Sequence, residues 1–205
     1  MSDATLNLSH YQEITILPDP EITSYFIWSK LYNQLHIALA DIKNTHGIES
    51  IGVSFPDYHF DSKNGKSSKL GNKLRVFALS EDDLTKLDLN KWLERLTDYV
   101  HIKPIKAVPD KIEGYVSVHR YRFKPIEVQA QSLAEKLKIS LDDALATVAK
   151  RKPEKPLPYI TLISETNKSP YPLKVLQQPA DEPKPGTFNT YGMNGMRNNA
   201  TVPHW

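Results

Sequence analysis

The chain is 205 residues long, with 26 Lys+Arg against 24 Asp+Glu, a formal net charge of +2 and no cysteine. That composition excludes disulfides, thiolate nucleophiles and cysteine-ligated zinc, and the near-balanced charge excludes a generic nucleic-acid coat. With 40% hydrophobic residues the chain is too apolar to stay disordered, yet no apolar run approaches the roughly 18 residues of a membrane span and no signal-peptide pattern opens it, so a soluble cytoplasmic protein is expected.

Residues 11–17 (YQEITIL) alternate and are β-branched, predicting a strand that Pro18-Asp19-Pro20 ends. Thr23 or Ser24 can cap a helix to about Asp41, with Ile27, Leu31, Leu35 and Leu39 as its core stripe. Residues 51–55 (IGVSF) read as a second strand and 74–79 (LRVFAL) as a third. Between them, 61–73 is polar, holds Lys63, Lys66, Lys69 and Lys73, and is expected to be a flexible loop. Ser80 with an acid three residues on starts a second helix, expected to run in pieces through Trp92 and Leu96. Residues 99–108 read as a fourth strand. The order β-α-β-β-α-β is the ferredoxin-like arrangement.

In the second half, 115–123 (YVSVHRYRF) alternates, which puts Val116, Val118, Arg120 and Arg122 on one face and Tyr115, Ser117, His119, Tyr121 and Phe123 on the other. Helices are expected over 126–137 and, capped by Ser140, to about Lys150; a Lys/Pro linker over 151–158; strands over 159–163 and 173–176; and turns at Tyr191-Gly192 and Asn194-Gly195. The class is therefore α+β: a ferredoxin-like (RRM-like) domain over 1–110 and a smaller α/β domain over 111–205. Residues 1–110 hold 12 basic and 15 acidic side chains, net −3; residues 111–205 hold 14 and 9, net +5. Such asymmetry suggests an anionic partner for the second half, or chance.

The seven histidines (10, 36, 46, 59, 101, 119 and 204) show no metal-ligand spacing, and no phosphate-loop, dinucleotide or nucleophile-elbow motif occurs. No metal or cofactor is expected. His36 follows Leu35 on the first helix and shares its face with Tyr25, Trp28 and Tyr32. It borders the core, either reaching a cleft or bonding to backbone. Arg120 and Arg122 could each pair bidentately with a guanine, or could be two solvated arginines. Lys136, Lys138, Lys150-Arg151-Lys152 and Lys155 could track phosphates or form a solvated face. Ser164, Thr166 and Ser169 follow a strand, where hydroxyls are ordinary.

The run Ile51-Gly52-Val53-Ser54-Phe55-Pro56-Asp57, the run Ser68-Lys69-Leu70-Gly71-Asn72-Lys73-Leu74-Arg75, Pro18-Asp19-Pro20-Glu21, and Lys30-Leu31 to Leu35-His36 with Ala38-Leu39 closely resemble a known family. It is the CRISPR repeat-processing endoribonuclease of subtype I-F, the f branch of the Cas-six group. The resemblance covers about 11–205 and continues through His119-Arg120, Lys124, Thr161-Leu162 with Ser164, and Thr190-Tyr191-Gly192.

That resemblance implies a substrate, the stem-loop of the CRISPR repeat RNA, cut once at the base of its stem without metal. It implies a 2′,3′-cyclic phosphate and a 5′-OH end, and a product held as the hairpin-bound subunit of a crRNA-guided surveillance complex. His36 falls on the family's catalytic histidine, Ser164 on a serine that holds the ribose at the cleavage site, and Tyr191 on a tyrosine that orients the histidine. Arg120 matches an arginine that reads a guanine of the lower stem. Arg122 stands where the best-known pattern has a glutamine suited to adenine, so guanine is expected to be preferred there. Lys124 lies within the matched pattern, and Tyr171 matches an aromatic that stacks on a nucleotide.

The largest departure is the helix after Lys124. The family's arginine-rich helix is here IEVQAQSLAEKLK, with no arginine, so Gln129, Gln131 and Lys136 would have to serve. Two alternatives stay open: a hairpin-binding subunit of the same complex that has lost cutting, and a protein-interaction domain that binds no RNA.

Overall fold

A computed structural model describes residues 7–62, 67–122, 125–150, 156–164, 168–195 and 198–205. The first sheet is antiparallel, in the spatial order β2-β3-β1-β4, from β1 (His10–Ile16), β2 (Gly52–Ser54), β3 (Lys73–Ala78) and β4 (Val100–Ile102). A short β5 (Lys106–Ala107) also pairs with β1. The expected fourth strand, 99–108, is thus two pieces interrupted at Pro104, which has no N–H to give a ladder. Helix α1 (Ser24–His46) connects β1 to β2; α2 (Glu81–Leu87), α3 (Leu89–Trp92) and a 3-10 turn connect β3 to β4. Connectivity and strand order are those of the ferredoxin-like fold.

Thr23 caps α1, its hydroxyl accepting from the N–H of Phe26, and Gly47 ends it at φ 68. The helix runs five residues past Asp41 because the apolar stripe continues to Ile42, which is buried with Ile27, Leu31, Leu35, Ala38 and Leu39. Each such side chain contributes about 1.5–3 kcal/mol by leaving water.

The second sheet, order β7-β8-β6-β9, is built from β6 (Gly114–Tyr121), β7 (Tyr159–Ile163), β8 (Pro170–Ala180) and β9 (Val202–His204). Strand β8 is much longer than the expected 173–176. Its prolines at 170, 172 and 179 hide it from strand patterning. They are tolerated because Pro170 and Pro172 lie where β8 pairs with β7, and Pro179 where it pairs with β6. Each proline therefore meets one ladder at a time. One hydrophobic core runs from Ile14, Leu35 and Val53 to Val118, Leu162 and Val175.

Compactness divides the chain into 1–121 with 157–205, and 122–156. The boundary expected near 110 falls inside the first unit. The second unit is a helical hairpin of α4 (Ile126–Leu137) and α5 (Leu141–Ala149), closed by Ala130, Ala144 and Val148 with Leu133, Ala134 and Leu145 around them. Ser140 caps α5 as expected, accepting from the N–H of Asp143.

On β1, Glu13 is buried and paired. Arg75 Nε donates to its Oε2 at 2.8 Å, and Lys103 Nζ to its Oε1 at 2.6 Å. Arg75 also donates to the Trp205 carbonyl at 2.9 Å, under the Trp205 ring. Burial alone would raise the Glu13 pKa, but the hydrogen bonds and charges of Lys103 and Arg75 outweigh it and hold the carboxyl below its usual range.

Candidate active site

His36 lies in the fourth turn of α1, half-buried beside the core stripe. Its Nδ1 is 2.8 Å from the carbonyl oxygen of Thr190. A carbonyl only accepts, so Nδ1 carries the proton, and in the neutral imidazole Nε2 keeps its lone pair.

The next residue, Tyr191, lays its ring on the imidazole, with centroids 4.0 Å apart and planes 3° from parallel. The guanidinium carbon of Arg120 sits 4.4 Å from the same tyrosine centroid. The parallel imidazole already covers one face of that ring, so the guanidinium takes the other. His36, Tyr191 and Arg120 form a three-layer stack with a phenol in the middle.

Three anchors hold Tyr191. Its carbonyl accepts from the hydroxyl of Tyr32, a fully buried residue one turn before His36 on α1. Burial, then the Tyr191 phenol, push the Tyr32 pKa well above its ordinary value, so it stays a neutral donor. The Tyr191 N–H donates to Asn189 Oδ1 at 2.8 Å. Its hydroxyl is 2.9 Å from that of Tyr171 on β8. The following Gly192 holds φ at 68, and a Cβ there would lie 2.6 Å from Val53 Cγ1. Only glycine gives both the left-handed turn and that closeness.

Ser164 stands at the mouth of the β7–β8 hairpin. Its N–H donates to the Ser169 carbonyl and its own carbonyl accepts from the Lys168 N–H. Three residues earlier, the Thr161 carbonyl accepts from Ser29 Oγ on α1, which moors the hairpin to the helix that bears His36. Tyr171 pairs with Leu162 across the same hairpin. One hairpin thus holds both Ser164 and the hydroxyl that grips Tyr191.

Of the other expected RNA contacts, Arg122 follows β6, and Gln129, Gln131 and Lys136 lie on α4. Strand β6 stops at Tyr121, so the alternation expected to align Arg122 with Arg120 ends before it, and Arg122 is an exposed residue past the strand. Gln131 and Lys136 are exposed on α4 and Gln129 is half-buried. Gln129 and Gln131, two apart, point about 160° from each other around the axis. Lys124, Phe123, Lys63, Lys66, Thr166, the basic run at 151, 152 and 155, and residues 1–6 lie outside the described residues. Among those described, no three His, Cys, Asp or Glu side chains gather where a metal could sit, and no helix is long and apolar enough to cross a membrane.

Residues 11–205 match the family described as CRISPR-associated protein (Cas_Csy4). The chain belongs to that family. It is 31% identical over 204 residues to the CRISPR-associated endonuclease Cas6/Csy4 of Escherichia coli strain UTI89, covering 96% of this chain and 99% of that one. It is 34% identical over 200 residues to the protein of the same name from Pseudomonas aeruginosa strain UCBPP-PA14, covering 91% and 96%. A solved structure described as an RAMP protein binding different RNA substrates covers 95% of this chain and 99% of its own, at 14% identity and a TM-score of 0.36.

Two members of the cluster escaped sequence reasoning. The Thr190 carbonyl is backbone, 154 residues from His36, and leaves no mark in composition. Tyr32 did leave one, four residues before His36 on the same helical face, but its spacing alone gives it no role.

Proposed function

We propose that the protein is an endoribonuclease that cuts CRISPR precursor RNA at the base of the repeat stem-loop, in the cytoplasm and without metal. The observation that bears most weight is the state of His36. Its Nδ1 proton is engaged by the Thr190 carbonyl, so the neutral ring offers Nε2 as a base.

RNA brings its own nucleophile. Nε2 takes the proton of the 2′-OH beside the scissile phosphate. The 2′-O–P bond forms as the P–O5′ bond breaks, and the 5′ oxygen leaves with a proton from the imidazolium or from water. The products are a 2′,3′-cyclic phosphate and a 5′-OH end. Ser164 holds the ribose and Tyr191 holds the imidazole, so that the three reacting atoms stay in line. Arg120 reads a guanine of the lower stem: its guanidinium lies over the Tyr191 ring, and the donor edge of a guanidinium can meet guanine O6 and N7.

Residues 111–205 form the hairpin-binding part, with Arg122, Lys124, Gln129, Gln131 and Lys136 as further contacts and Tyr171 stacking on a nucleotide in the hairpin region. The cut RNA stays bound, and the protein becomes the hairpin-holding subunit of a crRNA-guided surveillance complex. His36→Ala tests the reading. Cleavage is expected to fall by about 10²–10⁴-fold with hairpin affinity unchanged. Equal loss of affinity would make His36 structural, and uncut but tightly bound RNA with the unaltered protein would favour the inactive hairpin holder.

A further inference from the structure

Among the described residues the exposed aromatic side chains are Tyr25, Phe26 and Tyr159, at 64%, 53% and 42% exposure. Tyr25 and Tyr159 meet on a ledge where the first turn of α1 faces the start of β7, and Phe26 is the next residue of that turn. The Tyr25 and Tyr159 rings are 6.2 Å apart and tilted by 50°. They border an open slot of about 160 Å³ whose other walls include Trp28, Lys69 and Asn72. Lys30 Nζ hangs 5.2 Å from the Phe26 centroid. Water-exposed aromatics beside flexible cations suit unpaired nucleobases and their phosphates: the rings take the faces of the bases and the ammonium groups the backbone.

The ledge is continuous with the candidate active site. Tyr159, Thr161 and Ile163 are the exposed residues of β7, and the next residue is Ser164. Five strand residues span about 17 Å. The eleven helical steps from Tyr25 to His36 span nearly the same, about 16 Å. The Ser29–Thr161 hydrogen bond joins the two tracks midway.

We propose that this ledge is a second RNA site, which holds single-stranded nucleotides flanking the stem beyond the scissile phosphate. The proposal rests on the ribonuclease reading above. A strand leaving the reaction centre along α1 and β7 reaches Tyr25 and Tyr159 within a few nucleotides. Stacking there is tolerant of sequence, so the ledge grips the single strand by the faces of its bases and fixes its path through the site.

The test uses the full chain and two RNAs, the repeat stem-loop alone and the same stem-loop with six single-stranded nucleotides beyond the cleavage position. Both carry a 2′-deoxy ribose at that position so that neither is cut. The unaltered protein is expected to bind the extended RNA about tenfold more tightly. The Tyr25→Ala/Tyr159→Ala double variant is expected to lose that advantage and keep its affinity for the stem-loop alone, and the Tyr25→Phe/Tyr159→Phe variant to keep both.

Equal affinities of the unaltered protein for the two RNAs would overturn the ledge while leaving the ribonuclease reading intact. So would an advantage that survives in the alanine variant, or equal weakening of both RNAs. Loss of binding to a protein subunit, with both RNA affinities unmoved, would assign the ledge to protein and overturn it. Failure of the unaltered protein to bind even the stem-loop would overturn the ribonuclease reading, and the ledge with it.

Discussion

Tyr171→Phe removes one oxygen and leaves the ring. That oxygen is 2.9 Å from the Tyr191 hydroxyl, and the bond links the Ser164 hairpin to the ring that covers His36. Without it, Tyr191 still rests on the imidazole and under Arg120, but its tip is no longer fixed to β8. A hydrogen bond of this kind contributes about 1 kcal/mol net, and leaving its partner unmet costs about 1–3 kcal/mol. If 1–2 kcal/mol of that is lost from the reacting geometry, the rate falls by about 5–30-fold. The assay is single-turnover cleavage of the repeat hairpin at saturating protein, with affinity measured separately on 2′-deoxy RNA. Affinity is expected to hold, because the stacking ring remains. An unchanged rate, or a rate and an affinity that fall together, would refute Tyr171 as a positioning residue.

Other outcomes follow from the same geometry. Gly192→Ala forces a side chain into φ 68 and against Val53; a lower melting temperature, by about 1–3 kcal/mol of backbone strain, and slower cleavage are expected, and an unchanged protein would contradict the turn's role. Glu13→Gln leaves Arg75 without its buried anion, a loss of about 3–5 kcal/mol at neutral pH in denaturant unfolding. The Glu13 pKa is depressed in the fold, so its contribution is full above the unfolded value near 4.3 and disappears as pH falls through the lower folded value; the variant is expected to lack that part of the acid limb. His119 and His204 are held below their ordinary pKa, first by burial and, for His204, by Arg75 as well. Their neutral forms favour the fold, so stability is full above about pH 6.5 and declines below it; His119→Gln should reduce that slope in pH-resolved melting. At the base proposed for Arg122, replacing adenine by guanine in the repeat is expected to tighten binding, and equal or weaker binding would count against the assignment.

The ferredoxin-like half was legible because its signals are local. The 27-31-35-39 stripe sets α1, Ser80 and Asp83 set the start of α2, and the β-branched runs set β1 and β3. What escaped was decided at a distance. The end of α1 is set by Gly47 and by a stripe residue, Ile42, that sits outside a strict four-residue repeat. Three prolines conceal β8, and they are tolerated only because its two partners take turns along it. The site divides in the same way. His36 stood out by its face on the helix, and Tyr191, Ser164 and Arg120 by family resemblance. Yet the groups that fix their geometry, the Thr190 carbonyl, the Tyr32 hydroxyl and the Tyr171 hydroxyl, depend on contacts 20 to 159 residues apart. The strand pattern of 115–123 put Arg120 and Arg122 on one face but could not show that Arg120 lies over Tyr191, nor that β6 ends at Tyr121, one residue before Arg122.

The central claim is that His36 uses the RNA's own 2′-OH and no metal. The most direct measurement mixes the purified protein with its repeat hairpin in excess EDTA, alongside the same hairpin bearing one 2′-deoxy ribose at the scissile position. The account predicts that the first is cut, leaving a 2′,3′-cyclic phosphate, and that the second is bound but not cut. Cleavage of the 2′-deoxy hairpin, or cleavage that EDTA abolishes and a divalent metal restores, would contradict it.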